Sequence, residues 1–118
     1  MKKKIYYLKS CSTCIRILKE IEAEKHGFEL QNIKEDAISE GQLAEMKKLA
    51  GSYEALFSRT AMKYKALGLK DKNLSEEDYK NYILEEYTFL KRPVAIIDNT
   101  IFIGNSKKVV EALKNKLT

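Results

Sequence analysis

The chain has 118 residues, of which 22 are Lys or Arg and 17 are Asp or Glu, so its formal net charge is +5. A chain of this length normally forms one domain. With 44% hydrophobic residues, 33% charged residues, 5 Gly and 1 Pro, the composition excludes a disordered, collagen-like or low-complexity protein. The charge favours anionic partners, but it is modest beside the basic stripes of nucleic-acid binders, and we expect no direct DNA binding.

The sequence shows no sign of membrane insertion or export. No apolar run approaches the roughly 18 to 20 residues that a membrane span needs. The first residues, MKKKIYYLKS, pass from lysines directly into a strand-like pattern and lack the apolar core and cleavage site of a signal peptide. We therefore expect a cytoplasmic protein that does not enter a membrane.

The first part of the chain predicts a strand, a helix, a strand and a helix. Residues Lys4 to Leu8 have the composition of a short strand, and apolar positions recur at helical spacing from Ser12 until Gly27. A second strand is predicted around Phe28 to Ile33. Ser39 is a candidate N-cap for a helix that Gly51 ends.

The second part predicts more helices, a hairpin and a last helix. Residues from about 39 to 88 form a predicted helical insert, within which Ser75-Glu-Glu-Asp78 resembles a capping box. Pro93 to Asp98 and Ile101 to Ile103 predict a β-hairpin, and Ser106 caps a final helix. Apolar positions at helical intervals in the insert include Leu56, Phe57, Met62, Leu67, Leu69, Tyr79, Ile83 and Leu84.

This order of elements predicts an α/β sandwich. A βαβ unit, a helical segment and a ββα unit are typical of a mixed β-sheet with flanking helices. The arrangement is the thioredoxin-like layout with a helical insertion. We expect one domain over residues 1–118, with the insert at about residues 39–88.

Two cysteines, Cys11 and Cys14, stand at the start of the first predicted helix. Their spacing places them on one face within disulfide distance, and in a small chain without export signals they are a redox pair, half of a zinc site, or two inert small residues. The helix start lowers a thiol pKa, which makes Cys11 the predicted nucleophile and the deeper Cys14 the resolving thiol. The single histidine, His26, is predicted to lie on the surface, and we expect no metal site.

Three segments carry a resemblance to a known family. They are a strand followed by Cys11-Ser-Thr-Cys14, the stretch Leu56-Phe-Ser-Arg-Thr-Ala-Met-Lys-Tyr-Lys-Ala-Leu67, and Lys91-Arg-Pro-Val-Ala-Ile-Ile-Asp98. Together they resemble the arsenate reductase (ArsC) and Spx family, and the resemblance covers nearly the whole chain.

The resemblance has implications for the site. It implies that Cys11 is the reactive cysteine and that a cis peptide bond joins Arg92 to Pro93 in the loop facing it. Pro93, Ser12 and Thr13 are then expected to have structural roles at the site.

The three arginines of the chain are candidate anion-binding residues. A thiolate that attacks an oxyanion needs guanidinium groups to hold the oxygens and offset repulsion. Arg92 matches the Arg-Pro motif of the family, whereas Arg59 and Arg16 are each displaced by one residue from the family positions. The alternative for each of the two is a solvated salt bridge.

Two departures from true arsenate reductases place the chain closer to the Spx and YffB-type branches. A second cysteine occupies position 14, and Ile103-Gly-Asn-Ser106 stands where a third arginine is expected. The leading hypothesis is an ArsC-like thiol-disulfide oxidoreductase that reduces an oxyanion such as arsenate, a disulfide or a glutathione adduct. It would hold no bound cofactor and take electrons from glutathione with glutaredoxin, or from thioredoxin. The alternative is an Spx-like redox-sensing transcriptional regulator that binds the RNA polymerase α subunit.

Overall fold

The structure is a computed structural model that describes residues 2–117. The chain divides into two compact units, one formed by the residues up to Ala37 together with those from Arg92 onward, and the other by Ile38–Lys91. The expectation of one domain over residues 1–118, with an insert at about 39–88, remains a prediction.

The secondary structure follows the predicted order. In chain order, the strands are β1 (Lys3–Tyr7), β2 (Glu29–Asn32), β3 (Val94–Ile97) and β4 (Thr100–Ile103). The helices are α1 (Ser12–Glu20), α2 (Glu40–Ala50), α3 (Met62–Ala66), α4 (Glu76–Glu85) and α5 (Lys107–Leu117). Short 3-10 turns lie at Glu54–Leu56, Leu69–Asp71 and Tyr87–Phe89. Within the described residues, no helix has both the length and the apolar character that crossing a membrane requires.

The first unit is built on a mixed sheet with the strand order β2-β1-β3-β4. Strand β1 pairs in parallel with β2 and antiparallel with β3, and β3 pairs antiparallel with β4. Tyr6 lies opposite Val94, so the residues that follow β1 and those that precede β3 lie at the same end of the sheet. The predicted α/β fold, with a mixed sheet and flanking helices, is confirmed.

An aliphatic core joins the helices of the first unit to its sheet. Apolar residues of α1 and α5 and of strands β1 and β3 belong to one buried cluster, because each helix places a stripe of apolar positions toward the sheet. The cluster contains Ile5, Ile17, Ile21, Ala23, Phe28, Ala95, Ile97, Val110 and Leu113.

Helix α1 is shorter than the sequence predicts. It ends at Glu20 instead of continuing to Gly27, because Glu22 adopts a left-handed φ of 53° that a continuing helix does not allow. The N–H of Ala23 then donates to the Leu18 carbonyl oxygen at 3.0 Å. Ala23 is still buried, so the apolar pattern persists after the helical backbone has ended.

The second unit contains α2 to α4, and its helix caps are those that the sequence predicts. Ser39 and Gln42 form a capping box at the start of α2, and Gly51 ends that helix with a left-handed φ of 97°. Ser75 and Asp78 form the second capping box, at the start of α4. Each box satisfies two backbone N–H groups that the first helical turn leaves without partners.

The second unit has an aromatic core. The buried Phe57 ring stacks on Phe89 with centroids 5.0 Å apart and packs against Tyr79 at 4.9 Å. Met62 and Leu67, which the periodicity groups with this core, are instead 89% and 48% exposed. Helix α3 is a five-residue segment, too short to bury every apolar residue around it.

Candidate active site

The loop between β1 and α1 holds the first cysteine at the helix start. The Cys11 N–H donates to the Leu8 carbonyl oxygen at 3.0 Å, and the Cys11 carbonyl oxygen accepts from Ile15 N–H at 3.1 Å. Cys11 has extended backbone angles and is the N-cap of α1, while Cys14 lies within the first turn. Cys11 therefore faces backbone N–H groups that have no partner inside the helix.

The two thiols differ in exposure. Cys11 is half-buried, whereas Cys14 is 0% exposed. Both cysteines are free thiols in this structure. An attacking reagent from solvent therefore meets Cys11 first.

The pKa of Cys11 is lowered. Burial acts to raise it, but hydrogen bonds from the Cys14 backbone and thiol, the positive charge of Arg92 and a hydrogen bond from the Thr13 backbone together outweigh burial. All of these opposing interactions stabilise the thiolate. A lowered pKa increases the thiolate fraction near neutral pH, and the thiolate is the nucleophile.

The pKa of Cys14 is shifted in the opposite direction, to about 11. Burial is the main cause, and the hydrogen bond to Cys11 and the negative charge that Cys11 carries as a thiolate add to it. A hydrogen bond from the Leu8 backbone and the charge of Arg92 act against the shift without overcoming it. Cys14 therefore remains protonated at pH values at which Cys11 has already lost its proton.

The sheet brings Arg92 to the cysteine loop. Because β1 and β3 are antiparallel, Arg92 and Pro93 approach β3 at the end where the chain leaves β1. The peptide bond between them is cis, as the resemblance implies, and the Pro93 carbonyl oxygen accepts from Gly104 N–H at 2.9 Å. Arg92 is half-buried, and its charge lowers the pKa of Cys11.

Arg16 and the residues between the cysteines belong to the same unit as Cys11. Arg16 lies on the exposed face of α1 and lines a depression that Ser12 also lines. Ser12 is exposed and Thr13 half-buried. The roles predicted for Arg16, Ser12 and Thr13 remain predictions.

Arg59 lies in the second unit and has partners there. Its Nη2 donates to Glu54 Oε2 at 2.7 Å and to the Tyr79 hydroxyl at 3.0 Å. The hydrogen bond to Glu54 is the main cause that raises the pKa of Arg59. The salt bridge that the sequence left open for Arg59 is therefore present, and its predicted role in anion binding remains a prediction.

Two lysines near the cysteine pair were not singled out by sequence reasoning. Lys9 and Lys19 line the same depression as Arg16. The helical spacing of Arg16 and Lys19, three residues apart, was the signal that could have identified a basic face on α1. Among residues 2–117, no group of three or more His, Cys, Asp or Glu side chains is arranged to hold a metal ion.

A mixed sheet flanked by helices, with a CxxC pair where the first strand leads into the first helix, defines a thioredoxin-like fold. The model of the ArsC family matches residues 6–113, and the chain belongs to this family. The predicted resemblance is confirmed at this level. No protein with a curated description matches the sequence.

Solved structures with the same fold include several ArsC-type proteins. The YffB protein has a TM-score of 0.82 at 17% identity, with 99% of this chain and 100% of that chain covered. An arsenate reductase from Vibrio cholerae has a TM-score of 0.79 at 20% identity, with coverage of 98% and 97%. An arsenate reductase (ArsC) related protein from Brucella melitensis has a TM-score of 0.73 at 21% identity, with coverage of 95% and 93%. These similarities extend over nearly the full length of each chain.

Proposed function

We propose that this protein is a thiol-disulfide oxidoreductase in which Cys11 is the nucleophile and Cys14 the resolving thiol. The observation that carries the proposal is the pairing of a partly exposed thiol with a lowered pKa, Cys11 at the cap of α1, and a buried thiol with a raised pKa, Cys14 in its first turn. Cys11 is half-buried and supplies a thiolate, while the buried Cys14 keeps its proton until Cys11 has reacted. This asymmetry suits a two-step exchange.

For a disulfide substrate, the exchange proceeds through a mixed disulfide. The Cys11 thiolate attacks one sulfur, forms a new S–S bond and releases the other sulfur as a thiolate, which takes up a proton. Cys14 then loses its proton and attacks the Cys11 sulfur, which releases the second substrate thiol. The substrate gains two electrons and two protons, and the protein ends with a Cys11–Cys14 disulfide.

An oxyanion such as arsenate is the second candidate substrate for the same pair. The Cys11 thiolate would form an S–As bond and displace one arsenate oxygen, which leaves as water with two protons taken up from solvent or carried by the arsenate. Cys14 would then lose its proton and attack the Cys11 sulfur, forming the Cys11–Cys14 disulfide and leaving the electron pair of the broken As–S bond on arsenic as As(III). The positive charge of Arg92, which already acts on Cys11, would offset the repulsion between thiolate and oxyanion.

The electron donor is proposed to be a soluble thiol system, with no cofactor bound to the chain. The Cys11–Cys14 disulfide needs two electrons to return to the reduced state. Glutathione with glutaredoxin, or thioredoxin, would supply them by a further thiol-disulfide exchange.

A coupled assay tests both substrate and donor. NADPH consumption is measured with arsenate, once with glutathione, glutaredoxin and glutathione reductase and once with the thioredoxin system, using Cys11→Ser as the blank. Glutathione disulfide is tested with the thioredoxin system alone, because glutathione reductase would reduce it without this protein. Turnover that this blank lacks supports a reductase and identifies its donor. If neither substrate is turned over and Cys14→Ser traps no mixed disulfide on Cys11, the enzyme proposal is wrong. Oxidation-dependent retention of the RNA polymerase α subunit would then indicate a regulator.

A trapping experiment tests the division of roles. Cys14→Ser should accumulate a mixed disulfide between Cys11 and a thiol substrate, because no resolving thiol remains, and mass spectrometry detects the adduct. Cys11→Ser is the matched control and should form none. A stable adduct on Cys14 in the Cys11→Ser protein would show that the roles are reversed.

A further inference from the structure

Two adjoining depressions lie beside the cysteine loop of the first unit. The first has a volume of about 530 Å³ and is lined by Lys9, Ser10, Ser12, Ile15, Arg16 and Lys19. The second, of about 540 Å³, shares Lys9, Ile15 and Lys19 with the first, so the two form one continuous surface, which we call the α1 groove. Ser10 and Ser12 are the chain neighbours of Cys11, so one end of the groove adjoins the cysteine loop, although Cys11 itself is not part of the lining.

The end of the α1 groove next to Cys11 is positively charged. The side chains of Lys9, Arg16 and Lys19 are exposed and make no ion pair or hydrogen bond within residues 2–117. The lining of the first depression includes no acidic residue among those that the structure describes. By contrast, Lys25 at the far end pairs with Glu22 at 3.3 Å. The cations without an ion-pair partner among the described residues are therefore concentrated in the first depression, next to the cysteine loop.

The other end of the α1 groove is apolar. Its floor includes the half-buried Leu18 and the buried Ala23, and Leu30 on β2 is a large apolar side chain with 36% exposure. The acidic residues of this end are Glu22, which Lys25 neutralises, and Glu24. An inorganic oxyanion has no apolar surface to bury against these side chains. A polypeptide segment with an apolar side chain would bury apolar surface there, which favours binding.

We propose that the α1 groove docks the polypeptide segment around the disulfide that Cys11 reduces, and that this segment has acidic residues next to the reacting cysteine and an apolar residue further along. The inference rests on the proposed thiol-disulfide exchange and adds the class of its substrate. Complementary charge would both orient the segment and speed its encounter with the groove, with a strong dependence on salt.

Activated peptides provide the probe. The test peptide is the symmetrical heptapeptide Leu-Gly-Asp-Cys-Asp-Gly-Leu, with its cysteine linked as a 2-thiopyridyl disulfide, so that the result does not depend on chain direction. One comparison peptide has Lys in place of both Asp, and another has Gly in place of both Leu. Release of 2-thiopyridone gives the rate at which Cys11 attacks the peptide disulfide. The rate at which 2-mercaptoethanol attacks the same peptide measures the intrinsic reactivity of that disulfide, and the Cys11 rate is divided by it. Neutral 2,2′-dithiodipyridine reports thiol reactivity without docking.

The wild-type protein should react faster with the Asp peptide than with the Lys peptide by about tenfold at low ionic strength, and added salt should reduce the difference. In Lys9→Gln/Lys19→Gln the ratio of the Asp-peptide rate to the Lys-peptide rate should fall by about fivefold, since each exposed charge contributes only modestly to binding the peptide. The matched control, Lys108→Gln/Lys116→Gln, removes the same charge from exposed positions on α5 and should keep the preference. Leu30→Ser should slow the Leu peptide and leave the Gly peptide unchanged.

The outcomes separate this inference from the proposed function. If 2,2′-dithiodipyridine reacts through Cys11 but the Asp peptide has no advantage, the docking inference is wrong and the exchange chemistry stands. Equal losses in the two lysine double variants would also overturn it, because net charge alone would then explain the preference. If 2,2′-dithiodipyridine does not react with Cys11, both the docking inference and the proposed exchange chemistry are wrong. Self-association of the reduced protein that Lys9→Gln/Lys19→Gln abolishes would assign the groove to a second copy and overturn the inference.

Discussion

Cys11 and Cys14 are three residues apart, yet the backbone gives their thiols opposite surroundings. Cys11 is at the cap position, where N–H groups of the first turn act on it, and Cys14 is inside that turn and buried. The sequence predicted this asymmetry from spacing alone, because helix geometry determines which of the two positions is deeper. What spacing could not give is the contribution of Arg92, which comes from a distant part of the chain.

Replacing Arg92 should change the reactivity of Cys11. Arg92→Gln removes a charge that lowers the pKa of Cys11, so the thiolate fraction at neutral pH falls and alkylation by iodoacetamide should slow by about threefold. Arg92→Lys, which keeps the charge, should lie closer to wild type. The measurement is the alkylation rate from pH 6 to 10, with Lys108→Gln as the control for net charge. An unchanged pH profile in Arg92→Gln would show that its charge does not reach the thiol.

The buried thiol should make stability depend on pH. The pKa of Cys14 is raised from its ordinary value of 9.0 to about 11, so between these values the folded state binds more protons than the unfolded state. The free energy of unfolding should therefore fall as pH rises from 9 to 11, by about 2 kcal/mol from this group. Urea unfolding of the reduced protein measures the slope, and Cys14→Ala should flatten it. Parallel curves for the two proteins would contradict the prediction.

At the scale of elements, the apolar pattern of the sequence predicted which side chains are buried better than it predicted the backbone conformation. Ile21 and Ala23 are buried as the periodicity indicates, although α1 has already ended at Glu20. A turn with a left-handed residue at Glu22 keeps the same side of the chain toward the core. The periodicity of apolar residues therefore indicates which side chains face the core. It does not determine the backbone conformation, because a helix and a turn can bury the same side chains.

The capping box of α4 should make a measurable contribution to stability. Ser75 Oγ accepts from Asp78 N–H at 3.2 Å, and Asp78 Oδ2 accepts from Ser75 N–H at 2.9 Å. Ser75→Ala should lower the free energy of unfolding in urea by about 1 kcal/mol. Ser10→Ala, at an exposed serine that caps no helix, is the control and should change it by less than about 0.5 kcal/mol. Equal effects of the two substitutions would argue against a capping contribution.

For the whole molecule, the two units rely on different kinds of core. The first buries mainly aliphatic side chains against its sheet, while the second groups its aromatic rings around Phe57. The sequence predicted both the sheet and the helical character of the second unit. It did not predict that Met62 and Leu67 would be exposed, because helical spacing does not reveal which faces acquire a packing partner.

Removing the central ring should destabilise the second unit strongly. Phe57 is 0% exposed and contacts rings on several sides, so Phe57→Ala should cost about 3 to 5 kcal/mol. Phe57→Leu restores part of the volume and should cost about 1 to 2 kcal/mol. Urea unfolding followed by tyrosine fluorescence gives both values. Equal losses of unfolding free energy in Phe57→Ala and Phe57→Leu would contradict the prediction, because they would show that the volume of the side chain does not determine its contribution to stability.

The candidate site was predictable where one short segment contains it. The cysteine pair and its helix were evident from adjacent residues, and the Arg92–Pro93 motif was found only through the family resemblance. Arg59 was harder to assign, because its partners Glu54 and Tyr79 lie 5 and 20 residues away in the chain and no local pattern joins them. The basic face that includes Lys19 was missed because the sequence does not show which charged side chains the fold pairs with one another.

The pairing of β1 with β3 also determines the order in which the site is completed during translation. Tyr6 leaves the ribosome well before its partner Val94, which lies 88 residues further along the chain. Until then the nascent chain contains both thiols without the guanidinium of Arg92, and the thiolate of Cys11 lacks that source of stabilisation. The cysteine pair is thus synthesised early and acquires its final chemical character late.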